Sequence, residues 1–166
     1  RDRSGIVLTS YTTLSATFDD YDNDGDLDLF LSHHSSAGQV DTETLWRNTG
    51  DGTFESYSIQ SGIAGTLLGE AGTGDNLALT DFTFTPNLSD IDGDGDLDVI
   101  SASRVTNEIA WYKNDGSQNF SAHTITTSAA EAQRVFVADV DGDGDLDVLS
   151  ASHDDDKIAW YENNAT

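Results

Sequence analysis

Short runs in which apolar and polar residues alternate follow one another along most of the chain. Leu97–Ser103 and Leu146–Ser152 are nearly identical runs of this kind, and glycine turns such as Asn114–Ser117 separate one run from the next. Runs that are rich in β-branched residues and bounded by turn residues are typical of β-strands, and the spacing of the apolar residues does not match a helix. The pattern therefore predicts an all-β protein of short antiparallel strands.

These runs repeat as a larger unit of four strands, with an acidic loop between the first strand and the second. Internal repetition with a period of roughly 50 residues and four short strands per repeat is typical of β-propeller blades. We expect one repeat domain over residues 1–166. Its predicted parts are a candidate blade-completing strand (1–10), blade 1 (11–61), an insertion (62–82), blade 2 (83–127) and blade 3 (128–166), which lacks its fourth strand.

The acidic loop is the most regular part of the repeat. Residues 139–147 read Asp-Val-Asp-Gly-Asp-Gly-Asp-Leu-Asp, residues 90–98 differ from them only at the second residue, and residues 20–28 are a looser version. Numbered from its first aspartate, each loop has glycine at position 6, where the chain must turn sharply. The odd positions 1 to 9 are all aspartate: Asp20, Asp22, Asp24, Asp26, Asp28, Asp90, Asp92, Asp94, Asp96, Asp98, Asp139, Asp141, Asp143, Asp145 and Asp147.

So many carboxylates close together require a counter-ion. Two of them about 4 Å apart repel each other by roughly 1 kcal/mol in water and about 4 kcal/mol at a protein surface. Ligands that are all oxygens, carried by a flexible loop, suit Ca²⁺. We therefore predict about three Ca²⁺ sites, with the side chains of positions 1, 3, 5 and 9 and the backbone carbonyl of position 7 as ligands. The alternative is a set of acidic turns that are simply solvated.

The loops are not EF-hands. An EF-hand needs a bidentate glutamate at position 12, and here that position holds Leu31, Ser101 or Ser150. The strand-like flanks also differ from the helices of an EF-hand, and the missing position 12 ligand argues equally against a dockerin loop.

Composition narrows the range of partners and compartments. The net charge of −24 makes nucleic acid and anionic membrane surfaces poor partners, and leaves cations, neutral sugars and basic protein patches. The chain has no cysteine and no apolar run of about 20 residues, so we expect neither disulfides nor membrane insertion. A start at Arg1 without any methionine suggests a processed product. Because Ca²⁺ is abundant outside cells, we expect a secreted or cell-surface protein.

Aromatic residues and histidines are the remaining candidates for a ligand site. Trp46, Trp111 and Trp160 are predicted to recur at one position of the third strand, either as packing between blades or as a shelf on which sugars stack. His33 and His34 are adjacent and should point to opposite faces of a strand, and His123 and His153 stand alone. No known nucleophile, metalloprotease or phosphate-loop motif occurs in the chain, so we expect a protein that is not an enzyme.

Together, the motifs resemble a known family. Asp-x-Asp-Gly-Asp-Gly-Asp-Leu-Asp-Val, followed by Glu-Ile-Ala-Trp-Tyr-Lys-Asn-Asp-Gly or Lys-Ile-Ala-Trp-Tyr-Glu-Asn, is similar to the FG-GAP/VCBS repeats, the calcium-binding blades of integrin-α-like β-propellers. The resemblance covers about 120 residues and is weakest over residues 1–10 and 62–81. It implies a blade fold, one Ca²⁺ in each loop and an extracellular role in adhesion, recognition or scaffolding.

The number of blades departs from that family. About three units cannot close a ring, because closed propellers have roughly four to eight blades. Either the chain belongs to a longer one, or copies of it assemble into a ring or filament, with residues 1–10 of one copy completing blade 3 of another. The alternatives from other classes are a lectin-like carbohydrate-binding module and an accessory fragment of a larger secreted enzyme or adhesin.

Overall fold

The computed structural model describes residues 6, 12–34, 44–56, 87–104, 106–117 and 119–164. All regular structure in these ranges is β-strand, which confirms the all-β prediction. The strands are β1 (Thr12–Asp19), β2 (Asp28–His34), β3 (Thr44–Asn48), β4 (Phe54–Ser56), β5 (Asn87–Ser89), β6 (Asp98–Ser103), β7 (Glu108–Asn114), β8 (Phe120–Thr126), β9 (Ala132–Ala138), β10 (Asp147–Ser152) and β11 (Lys157–Tyr161).

The strands form three antiparallel sheets, in the orders β1-β2-β3-β4, β5-β6-β7-β8 and β9-β10-β11. We call them the first, second and third sheets. Each strand pairs with the next one along the chain, and in each sheet an aspartate loop connects the first strand to the second. The predicted insertion over 62–82 lies outside the described residues, as does the predicted strand over 1–10 apart from Ile6.

Strand register corrects one prediction about the tryptophans. Trp111 pairs with Ile100 and Trp160 with Leu149, and in both cases the partner lies two residues after position 9 of the loop. In the first sheet that place belongs to Leu45, which pairs with Phe30, whereas Trp46 pairs with Leu29. The prediction that all three tryptophans share one position is therefore wrong for Trp46, which matches Tyr112 and Tyr161. A shift of one residue places a side chain on the opposite face of the sheet.

Two apolar cores hold the three sheets in a stack. The first core joins residues from the first sheet and its loop, such as Tyr21 and Phe30, to Val99 and Tyr112 of the second sheet. The second core joins the opposite face of the second sheet to the third. Its members are Ile91, Ile100, Ala102, Ile109, Ala129, Ala132, Val135 and Val148. The second sheet is thus covered on both faces, and all of β6 is buried.

The outer face of the third sheet is apolar and exposed. Phe136 is 62% exposed, Ile158 80% and Trp160 47%. Ile109 and Trp111 occupy the corresponding places in the second sheet, where they lie in or against the second core. The residues of the third sheet are exposed because the described part of the chain contains no further sheet to cover them. The contact of Trp111 with the second core agrees with the interpretation of this tryptophan as packing between blades.

Replacement of Ile109 by alanine should destabilise the protein far more than the equivalent replacement of Ile158. Ile109 is fully buried, so Ile109→Ala should lower the free energy of unfolding by about 2–5 kcal/mol through lost burial and a cavity. Ile158→Ala should change it by less than about 0.5 kcal/mol. Urea unfolding of the two variants measures both values, and similar losses would contradict the stacking order.

Candidate metal centres

Each aspartate loop folds around the carboxylate at position 1. In the first loop, the backbone N–H groups of Asp24 and Gly25 donate to the two oxygens of Asp20, at 3.0 and 2.9 Å. In the third loop, Asp139 accepts in the same way from Gly142 and Gly144, at 2.7 and 3.2 Å. Position 6 has a φ of +94° to +100° in all three loops, which explains the glycine found there.

Position 9 connects the start of the loop to the end of the third strand. These aspartates are almost fully buried, and one oxygen of each accepts a bond from the N–H of loop position 2, at 3.1–3.3 Å. The other oxygen accepts from the N–H of an asparagine that follows the third strand or ends it, at 2.7–2.8 Å. The three sets are Asp28 with Tyr21 and Asn48, Asp98 with Ile91 and Asn114, and Asp147 with Val140 and Asn163.

The protonation equilibria of these buried carboxyls differ between the sheets. Burial raises the pKa of both Asp28 and Asp98 to about 6, although both accept backbone hydrogen bonds. In the third sheet, the hydrogen bond from Asn163 outweighs the effect of burial and holds the pKa of Asp147 below its ordinary value. The third sheet has an exposed outer face, so its loop is enclosed on fewer sides.

Three carboxylates converge in every loop. One oxygen from each of Asp20, Asp22 and Asp28, of Asp90, Asp92 and Asp94, and of Asp139, Asp141 and Asp147 lies within 4.8 Å of the other two in its set. Positions 1 and 3 belong to all three sets. Position 9 completes two of them, and position 5 completes the set in the second loop. The side chains of Asp24, Asp98 and Asp143, which we predicted to be ligands, are outside these sets.

In the first and second loops, the position 7 side chains turn away from the carboxylate clusters. Asp26 lies against Gly50 and Asp96 against Gly116, both glycines of the turn after the third strand. The backbone N–H of position 7 instead donates to the position 5 carboxylate in each loop, at 2.9–3.1 Å. This arrangement is compatible with a backbone role for Asp26, Asp96 and Asp145.

The second loop contains buried oxygens that lack a donor. Within the described residues, Oδ1 of Asp90 and Oδ1 of Asp92 are buried and accept no hydrogen bond. Leaving a buried acceptor unsatisfied typically costs about 1–3 kcal/mol, and more for a charged group. A cation among these oxygens would remove that cost, and hard oxygen ligands without nitrogen or sulfur match Ca²⁺. The residues present therefore fit the predicted ion.

Basic side chains also reach two of the loops. Nε of Arg47 lies 2.9 Å from Oδ2 of Asp22, and Nη2 lies 3.4 Å from Asp24. Nζ of Lys113 pairs with Asp92 and lies 3.1 Å from Oδ2 of Asp94. The pKa values of Arg47 and Lys113 are raised by these carboxylates, Asp22 having the largest effect on Arg47 and Asp92 on Lys113.

The repeated asparagine is a functional position that we did not predict. Nδ2 of Asn48, Asn114 and Asn163 donates to the carbonyl at position 8 of its own loop, at 3.1–3.2 Å. Asn114 also donates to the carbonyl of Tyr21, at 3.4 Å, and Asn163 to that of Ile91, at 2.9 Å. Each of these carbonyls belongs to position 2 of the preceding loop. Aligning the second and third repeats on their shared Ile-Ala-Trp-Tyr run would have revealed the asparagine, which follows that run by two residues in both.

The remaining candidate residues have other surroundings. His123 and His153, which stand alone in the sequence, each have a neighbour in the fold. The ring of His123 lies 4.9 Å from that of Trp111, and Nδ1 of His153 is 3.4 Å from Glu131. The side chains of His33 and His34 lie outside the described part of the chain. Across the described ranges, no helix is long and apolar enough to cross a membrane.

The fold and the loops define a repeat protein of stacked antiparallel β-sheets, with an acidic turn between the first two strands of each sheet. Residues 90–150 match the family model described as an FG-GAP-like repeat. This stretch of the chain is therefore similar to an FG-GAP-like repeat. None of the curated proteins compared with the chain matches it.

Asn114→Ala should cost more stability than Asn48→Ala. Both variants lose the bond to the position 8 carbonyl and the bond from the glycine two residues later, but only Asn114→Ala also loses a bond to the preceding loop. We expect an additional loss of about 1 kcal/mol in the free energy of unfolding for Asn114→Ala. Chemical denaturation checks this, and equal losses would show that the bond between loops adds nothing.

Proposed function

We propose that this protein is an extracellular calcium-binding structural or adhesion module of the integrin-α-like FG-GAP/VCBS type, with one Ca²⁺ in each aspartate loop. The observation that carries the proposal is the pair of buried Oδ1 atoms of Asp90 and Asp92, which lack a donor within the described residues and belong to a set of three converging carboxylates. A bound cation would supply these buried, negatively charged oxygens with the partner that buried polar groups normally have.

The chain's own residues would hold the ion in the same way in each loop. The side chains at positions 1 and 3 supply oxygens in all three loops, position 5 or 9 supplies a further one, and the carbonyl of position 7 is available because its side chain turns away in the first two loops. Ca²⁺ supplies positive charge that neutralises the cluster. Since the loop connects the first two strands, the ion would fix one strand relative to the other.

An extracellular location follows from this use of calcium. Loops of this kind bind Ca²⁺ usefully where its concentration is high, and extracellular modules tolerate dissociation constants of 10⁻⁴–10⁻³ M. The net charge of −24 also favours the binding of cations by this protein. We assign no catalytic step to the loops, because their acidic groups are accounted for by the ion and by backbone hydrogen bonds.

Removal of Ca²⁺ should lower the melting temperature. An ion that binds only the folded chain adds about 2.7 kcal/mol per site at a concentration one hundred times its dissociation constant. Melting curves followed by circular dichroism in millimolar Ca²⁺ and in EDTA would measure the difference. Identical curves would refute calcium binding.

Two variants of the third loop form a matched pair for this experiment. Asp141→Asn removes a carboxylate from the converging set, whereas Asp145→Asn makes the same change in charge at position 7, whose side chain is outside the set. Only Asp141→Asn should reduce the number of ions bound, as counted by calorimetric titration.

We further propose that the protein associates with itself. The outer face of the third sheet is equivalent to the face of the first sheet that packs on the second, and to the face of the second sheet that packs on the third. At the other end, Phe18 and Leu27 are 54% and 57% exposed, although their counterparts Leu88 and Leu97 pack against the first core. The first sheet of one copy could therefore continue the stack on the third sheet of another, as a ring or a filament.

The terminal strand is a second route to the same assembly. β11 is the last strand of the third sheet, and an exposed edge can pair with a strand from another chain. Completion of this sheet by residues 1–10 of a neighbour stays a proposal, as does completion by the remainder of a longer chain.

Charge on the exposed face should prevent association. Ile158→Asp should shift the protein towards monomers, while Thr127→Asp, which adds the same charge at an exposed turn, should not. Light scattering across a range of concentrations measures the mass. A strict monomer for the unmodified chain at every concentration would refute self-association.

A further inference from the structure

One residue occupies the same place in all three repeats but differs in charge. Arg47, Lys113 and Glu162 each directly precede the asparagine whose N–H donates to position 9 of the loop. Because the three asparagines are bound in the same way, the backbone before each of them lies at an equivalent point beside its own loop. We call this point the flanking position.

In the first two loops, the flanking position provides a positive charge to predicted calcium ligands. Lys113 contacts the carboxylates at positions 3 and 5 of the second loop, and Arg47 contacts the same two positions of the first loop. Lys113 pairs with Oδ2 of Asp92, while Oδ1 of the same carboxylate is buried without a donor among the described residues. The lysine thus balances only part of the negative charge of its cluster.

The third loop has no such counter-charge among the described residues. Its positions 3 and 5 are Asp141 and Asp143, and neither forms an ion pair with any lysine or arginine that the structure describes. The flanking residue is Glu162, which is exposed and supplies no positive charge. Among the described residues, two of the loops therefore have a cation of the chain beside them and the third has none.

We propose that the flanking residue sets the calcium affinity of each loop, so that the third loop binds Ca²⁺ more tightly than the first two. Arg47 and Lys113 are internal counter-cations, which must leave the carboxylates at positions 3 and 5 or share them when an ion binds. Glu162 attracts the ion to its loop. The inference rests on the proposed calcium binding, and it adds that the loops fill in sequence as the concentration of Ca²⁺ rises.

Neutralising or reversing the flanking charge should shift the affinity of a single loop. Lys113→Gln should tighten the binding of Ca²⁺ in the second loop by up to about fivefold, the upper end of what an exposed ion pair contributes. Glu162→Lys should weaken the third loop by at least as much. The double variant Lys113→Glu with Glu162→Lys keeps the net charge of the chain and should exchange the order in which the two loops fill.

Isothermal titration of the full chain with CaCl₂ at a fixed ionic strength of about 0.1 M, where distant charges are largely screened, measures these constants. Lys157→Gln is the matched control, because it removes the same charge from an exposed residue at the start of β11 and should leave all three constants unchanged. Circular dichroism confirms that each variant is folded. Arg47→Gln provides an independent test in the first loop if a variant of Lys113 does not fold.

The outcomes separate this inference from the proposal on which it rests. If the chain binds about three Ca²⁺ but the flanking variants leave every constant unchanged, the flanking residue does not set affinity and calcium binding stands. A shift of equal size in Lys157→Gln would also overturn the inference, because the effect would then follow from net charge alone. If no Ca²⁺ binds to the unmodified chain, the proposed function itself is refuted.

Discussion

The buried aspartate at position 9 of each loop is the contact on which the rest of the architecture depends. Its two oxygens accept backbone N–H groups from the start of the loop and from the end of the third strand, two places that lie apart in the sequence. A carboxylate is needed because one buried side chain must accept a hydrogen bond at each of its two oxygens. Hydrogen bonds to a charged acceptor are also stronger than those to a neutral one. Burial of that charge is unfavourable, as the raised pKa values of Asp28 and Asp98 indicate.

The asparagines extend this connection from one repeat to the next. Asn114 and Asn163 each link their own loop to the preceding one, and Nδ2 of Asn23 donates to Asp96 across the same boundary, at 3.3 Å. The loops are therefore linked directly as well as through the apolar cores between the sheets.

An open stack results from repetition without closure. The second sheet packs one apolar face on the first sheet and the other on the third. The third sheet carries the same kind of outer face, with Phe136, Ile158 and Trp160 exposed. The outer face of the third sheet is therefore equivalent to a face that packs on another sheet elsewhere in the stack.

Much of the architecture could be predicted from the sequence alone, because the relevant signals are local. Alternating runs indicated the strands, glycine at position 6 indicated the turn, and the repeated aspartates indicated both the loops and the family. Three antiparallel sheets confirm the predicted strands, and residues 90–150 match an FG-GAP-like repeat. The tertiary structure decided what depends on register and on residues far apart in the chain. It placed Trp46 on the face opposite to Trp111, connected Asn114 to Tyr21, and brought Arg47 and Lys113 to the acidic loops. A sequence displays the period of two along a strand, but only the paired and stacked strands determine which of the two faces a given residue occupies.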